Sequence, residues 1–338
     1  MKRQIPGYDL LKFIMALFVI AIHANLANAL NVNNFYIGRM ISVLQELSVP
    51  GFFAISSMLF FRKCYKMGLN TSGQYYWKFV KRLAWVYLFY FILLSPVVIP
   101  NRGWLQAGFP NGLGLLALDV LLRYTYPGSW FLSALLVATT VVYLLCKRIN
   151  PWILLGCFFA LHLYIYNVDK LPTTCHVFYD WYETHVRTIK LSFPVALVWI
   201  AMGACLASPK VLTCLPNLKK HTAIVWSVFA LSFVLQYFHL LYINGLGNIL
   251  MVACLMVLFY NIDFTPSPIY KKLREYSILF FFWHFIVLQL YKLIYHETEF
   301  QVFGIWLYPM ALIPVFIISS IILWLEDKRW FGWLKYSH

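Results

Sequence analysis

Residues 8–29 read YDLLKFIMALFVIAIHANLANA, an apolar run that nevertheless carries Asp9, Lys12 and His23. A stretch of this length spans roughly 30 Å of hydrocarbon as a helix. At 100° per residue, Lys12 and His23 project within about 20° of each other and roughly 16 Å apart along the axis, with Asp9 about 40° to the other side of His23. Ionisable groups on one stripe of a membrane helix are costly unless they face protein or water, so the stripe is a candidate site. A purely structural alternative stands beside it. Asp9 and Lys12 can pair at i,i+3 with Lys12 snorkelling to the interface, while His23 hydrogen-bonds a neighbouring helix.

The rest of the chain shares this apolar character. Of 338 residues, 62% are hydrophobic, 19% aromatic and only 12% charged, too few charges to cover a soluble domain of this length. The expectation is an all-α, polytopic membrane helix bundle in which one integral-membrane domain fills residues 1–338, without internal repeats or linkers. The first apolar segment runs past the length of a signal-peptide core and lacks a small-residue cleavage site, so it is expected to stay in the membrane. Seven cysteines are scattered without a CxxC pair, which implies neither a disulfide framework nor a metal site. The net charge of +15 sits in short clusters between apolar segments, a membrane-topology pattern that argues against nucleic-acid binding.

Apolar runs of spanning length fall near 8–30, 40–61, 83–100, 129–146, 151–168, 190–207, 222–241, 245–262, 276–295 and 304–325. The second contains Glu46, Pro50 and Gly51, and 104–124 is apolar but interrupted by Pro110, Gly112 and Gly114, suiting a re-entrant or interfacial piece. Ten spans with both termini cytoplasmic place nineteen basic residues on the cytoplasmic side and six opposite, with Lys12 and Lys292 inside spans. That asymmetry follows the positive-inside rule. The longest non-cytoplasmic loops are then 101–128 and 169–189; the second mixes Asp169, His176, Asp180, Trp181, Glu183, His185 and Arg187, either a sugar-binding mixture or an ordinary solvated loop.

Four further stretches carry polar groups at or near membrane depth. In VPGFFAISSMLFF (49–61), Pro50 and Gly51 can open the helix ahead of Ser56 and Ser57, whose hydroxyls can satisfy freed carbonyls or bind a ligand; small-residue helix packing is the alternative. In WKFVKRLAW (77–85), Lys78, Lys81 and Arg82 share a helix face suited to anionic lipid or to phosphate. PGSWFLSALL (127–136) is a turn leading into a helix with Trp130 at its start, and SILFFFWH (277–284) sets Ser277 and His284 on one face.

Together these segments resemble the acyltransferase 3 family of integral-membrane O-acyltransferases. Lys12 ten intervening residues before His23 is similar to the family's opening basic-x10-His pattern. Val49-Pro50, Phe52-Phe53 and Ser56 match its VPxFFxxSG segment, Lys81 and Arg82 its basic entry to the third span, Trp130-Phe131-Leu132 its WFL, and Ser277 with His284 its SYxxYLxH. The chain departs from the pattern in Lys12, where the family has arginine with its planar fork, in Ser57 for glycine, and in Ile278 and Phe281 for tyrosines.

The resemblance implies transfer of an acyl group, most often acetyl, from cytoplasmic acetyl-CoA to a hydroxyl of a cell-envelope glycan or glycolipid, in a bacterial cytoplasmic membrane and without a metal. His23 would take the hydroxyl proton or carry the acyl group transiently. Lys12, oriented by Asp9, would hold a CoA phosphate or the developing charge, helped by Lys81 and Arg82. Ser56 would line the CoA side, with Trp130, Ser277 and His284 toward the acceptor. The competing reading is a transporter of polar or anionic solutes using the same residues, for which the expected repeated halves with broken helices are not visible.

Overall fold

The computed structural model describes residues 5–126, 128–186, 188–265, 267–295 and 300–337. Lys2, Arg3, Pro127 and Arg187 of the sequence reading lie outside the described residues. Among those described there are helices and no strands. Eight helices are long and apolar enough to cross a membrane: Pro6–His23, Phe35–Met67, Gly73–Asn101, Ser129–Cys146, Pro151–Lys170, Pro209–Tyr237, Pro268–Tyr295 and Phe303–Leu325. The predicted spans at 190–207 and 245–262 are helices too, but shorter, with 14 residues from Phe193 to Leu206 and 16 from Leu246 to Asn261. Pro194 in the first turn sets the start of the former, because proline fits only where no helical N–H is needed. The apolar 104–124 region forms a single 11-residue helix, Asn111–Leu121.

Two predicted segments differ in their breaks. The first span ends at His23 and does not run on to 30: Ala24 closes it by donating to Ile20 O, and Asn25 takes a left-handed conformation at φ 53 before a new helix starts at Leu26. Asparagine tolerates that conformation better than most residues. The second span breaks at Glu46–Leu47, ahead of Pro50, which sits in the first turn of Ser48–Met67. The proline therefore begins a helix and does not kink one. Ser57 Oγ, expected to satisfy a freed carbonyl of its own helix, instead donates to Ile200 O at 2.5 Å.

The chain forms two compact units: residues 1–52, 215–241 and 247–338 make one, and residues 53–214 with 242–246 the other. In the first, Pro6–His23 and Pro268–Tyr295 form the most extensive helix pair of the chain. They run parallel: Asp9 meets Arg274 near their starts, Phe13 packs on Phe280 with ring centroids 5.5 Å apart, and His23 lies against His284 farther along. The 246–261 helix passes close to the first helix near Gly7, where a built Cβ would stand 1.9 Å from Phe259 O. Tyr8 Oη seals this crossing by donating to Met256 O at 3.0 Å. Gly7→Ala is expected to force these backbones apart and to cost about 2 kcal/mol, measured as a lowered thermal midpoint of the purified protein; an unchanged midpoint contradicts the close approach.

In the second unit, Gly203 allows a similar approach, its built Cβ falling 2.6 Å from Ala54 O, as small residues do between membrane helices. The two long loops here are joined: Arg123 Nε donates to Val186 O at 2.6 Å and its Nη2 to His185 O at 2.7 Å. Those bonds put residues 101–128 and 169–189 on one side of the bundle. Tyr182, Val186 and Ile189 pack on Ile165 and Val195 beneath them.

Candidate functional site

In the first unit, the end of the Pro6–His23 helix and the interior of the parallel Pro268–Tyr295 helix bring two imidazoles together. His23 is the last residue of its helix. Its ring centroid lies 5.1 Å from that of His284 and 4.5 Å from that of Phe285. His23 is accessible while His284 is fully buried, so of the pair only His23 can meet a substrate directly. His284 Nδ1 lies 2.8 Å from Phe280 O. A carbonyl oxygen only accepts, so Nδ1 carries the proton and Nε2 presents a lone pair. That Nε2 is buried and has no hydrogen-bond partner among the described residues, an unusual state for a polar atom in a packed interior. Phe281, one turn earlier, packs on Phe52 at 5.6 Å and on the His284 ring at 6.4 Å, holding the second histidine in place.

Toward the start of the same helices, Asp9 is buried and its carboxylate lies 4.0 Å from the Arg274 guanidinium. It also interacts electrostatically with Lys12 and Glu275. Asp9 thus faces two cations, Lys12 of its own helix and Arg274 of the Pro268–Tyr295 helix. Lys12 is half-buried. Ser277 is fully buried and donates to Arg274 O at 2.7 Å, so its hydroxyl supports the helix that carries the arginine.

The remaining predicted residues belong to the second unit. Lys81 and Arg82 are exposed on the Gly73–Asn101 helix, and Ser56 is half-buried. Trp130, half-buried in the first turn of Ser129–Cys146, packs edge-on to Phe53 at 6.2 Å. Its helix is anchored by Ser129 Oγ, which accepts from Thr125 N at 2.9 Å and donates to Tyr126 O at 2.8 Å. Among the described residues no group of three or more His, Cys, Asp or Glu side chains could hold a metal ion.

Comparison with known families matches residues 5–324 to the acyltransferase domain family. The chain belongs to this acyltransferase family. The match extends from the residue before the first helix to the end of the last long one, so both histidines and the Asp9–Arg274 pair of the acyltransferase lie inside it. An amino-acid racemase of Enterococcus faecalis is 23% identical over 236 residues, 67% of this chain and 31% of that protein. The chain therefore spans about a third of that relative's length, and the racemase activity is not carried across. No solved structure matches the chain. Family membership and the eight apolar helices support acyl transfer in a membrane over solute transport.

Proposed function

We propose that the protein moves an acetyl group from acetyl-CoA to a hydroxyl of a cell-envelope glycan or glycolipid, in a bacterial cytoplasmic membrane. The observation that carries this reading is the accessible His23 imidazole set against the buried, tautomer-fixed His284. His23 takes the proton as the acceptor oxygen bonds to the thioester carbonyl carbon; the C–S bond breaks, and the CoA thiolate leaves with that proton. The two rings lie 5.1 Å apart between centroids, with His284 Nε2 an acceptor in the same pair. Ser277 supports Arg274 and acts on the acceptor only indirectly.

Lys12 is assigned to a phosphate of CoA. Within the second unit, Lys81 and Arg82 are cations suited to phosphate, Ser56 is a neutral hydroxyl, and Trp130 is an aromatic face suited to a sugar. With acetyl-labelled acetyl-CoA and envelope glycan extracted from cells lacking the gene, the purified protein should release one CoA per label transferred to glycan as a base-labile ester. CoA release without label on glycan, or label transport without CoA release, overturns the reading. Lys12→Ala should raise the KM for acetyl-CoA about tenfold with a smaller change in kcat, as expected for a charge-assisted phosphate contact; an unchanged KM would make Lys12 a helix anchor only.

A further inference from the structure

The two joined loops of the second unit enclose a polar cavity of about 290 Å³, near the lower size of small-molecule sites. Its wall includes Asn101, Arg102, Asp119, Arg123, Tyr124 and Thr188. Two of the three charges cancel. Asp119 is buried, accepts from Trp104 Nε1 at 2.9 Å and stands 3.6 Å from the Arg123 guanidinium, and Arg123 spends Nε and Nη2 on the carbonyls of Val186 and His185.

Arg102 is left over. Its Nε donates to Thr125 O at 2.9 Å and its guanidinium lies over the Tyr124 ring, 4.6 Å from the centroid. These two contacts fix the plane of the fork and use neither Nη, and no carboxylate pairs with Arg102 among the described residues. A guanidinium held in one plane with both Nη groups uncommitted is suited to bidentate capture of a carboxylate or phosphate.

A second, independent feature marks the same wall. Thr188 has φ +49, a left-handed conformation that is unfavourable for a β-branched residue. It is held there by Glu183, whose carboxylate accepts from Thr188 N and Ile189 N, each at 2.9 Å. Strain of this kind persists where surrounding structure enforces it, and it clusters at ligand sites. The Asn101 amide is tied through Nδ2 to Val97 O, which leaves its oxygen as an acceptor, and the Tyr124 and Thr188 hydroxyls add neutral polar groups suited to sugar hydroxyls.

We propose that this cavity binds the anionic group, carboxylate or phosphate, of a sugar-sized ligand, with Arg102 as the anion-binding residue. Binding is read without turnover, so its outcome is independent of the acyl-transfer reading. With the full chain in phosphatidylcholine nanodiscs, calorimetry should show glucuronate and glucose 1-phosphate binding at least about tenfold more tightly than glucose. R102Q should bring both anions to the glucose level, and R102K, which keeps the charge and loses the fork, should fall between. Glucose binding as tightly as the anions to the wild-type protein overturns the proposal without recourse to any variant, and so does an unchanged anion affinity in a folded R102Q protein. Adding phosphatidylglycerol to the nanodiscs distinguishes the source of the anion: loss of glucuronate affinity identifies a lipid headgroup, and unchanged affinity identifies a soluble or polymer-borne acidic sugar.

Discussion

His23→Ala is expected to lower the rate of acyl transfer by about 10²- to 10⁴-fold, the range that a positioned general base contributes, while leaving the thermal midpoint close to that of the wild-type protein. The small structural effect follows from position. His23 is the last residue of its helix and is accessible, so truncation opens no closed cavity, and Ala24 still caps the helix through Ile20 O. The large chemical effect follows from the pairing with His284, whose Nδ1 donates to Phe280 O and whose buried ring cannot reach a substrate in place of His23. Initial rates of CoA release in the presence of glycan decide the matter. A variant that keeps transfer within tenfold of wild type would remove the imidazole from the mechanism and turn attention to the Asp9 end of the stripe.

The second large effect concerns Arg274. Its guanidinium lies 4.0 Å from the Asp9 carboxylate, with the arginine side chain 33% and the aspartate side chain 6% exposed. Removing one partner of a buried pair strands the other charge, which costs about 3–5 kcal/mol in fully buried cases. Partial exposure of Arg274 and the continuing influence of Lys12 reduce that, so Arg274→Leu should cost about 2 kcal/mol, seen as a lowered thermal midpoint. Adding Asp9→Asn to that variant removes the stranded carboxylate and should restore most of the loss. A double variant no more stable than Arg274→Leu alone would show that the two side chains do not interact energetically. Because Ser277 holds the Arg274 carbonyl, the pair links the first helix to the helix that carries His284 near their common start.

Helix existence and the stripe of Asp9, Lys12 and His23 were legible in residue order, because length of an apolar run and the 3.6-residue period are properties of sequence neighbours. The break at Asn25 was not, since an apolar run continues through it and only a single left-handed residue ends the helix. Nor was the position of the second break. Pro50 drew attention to itself, but the chain turns at Glu46–Leu47 and uses the proline in the first turn that follows.

What residue order determined by itself is an all-helical membrane protein with ionisable groups aligned along its first span. Tertiary structure alone decided who meets whom: Arg274 as the partner of Asp9, His284 as the companion of His23, and Arg102 beside Thr188 in the wall of one cavity. The physical reason lies in the solvent. Membrane helices are apolar on most faces, so hydropathy does not say which face packs on which neighbour. Close approaches such as Gly7 on Phe259, and the polar pairs they leave facing one another, make that choice.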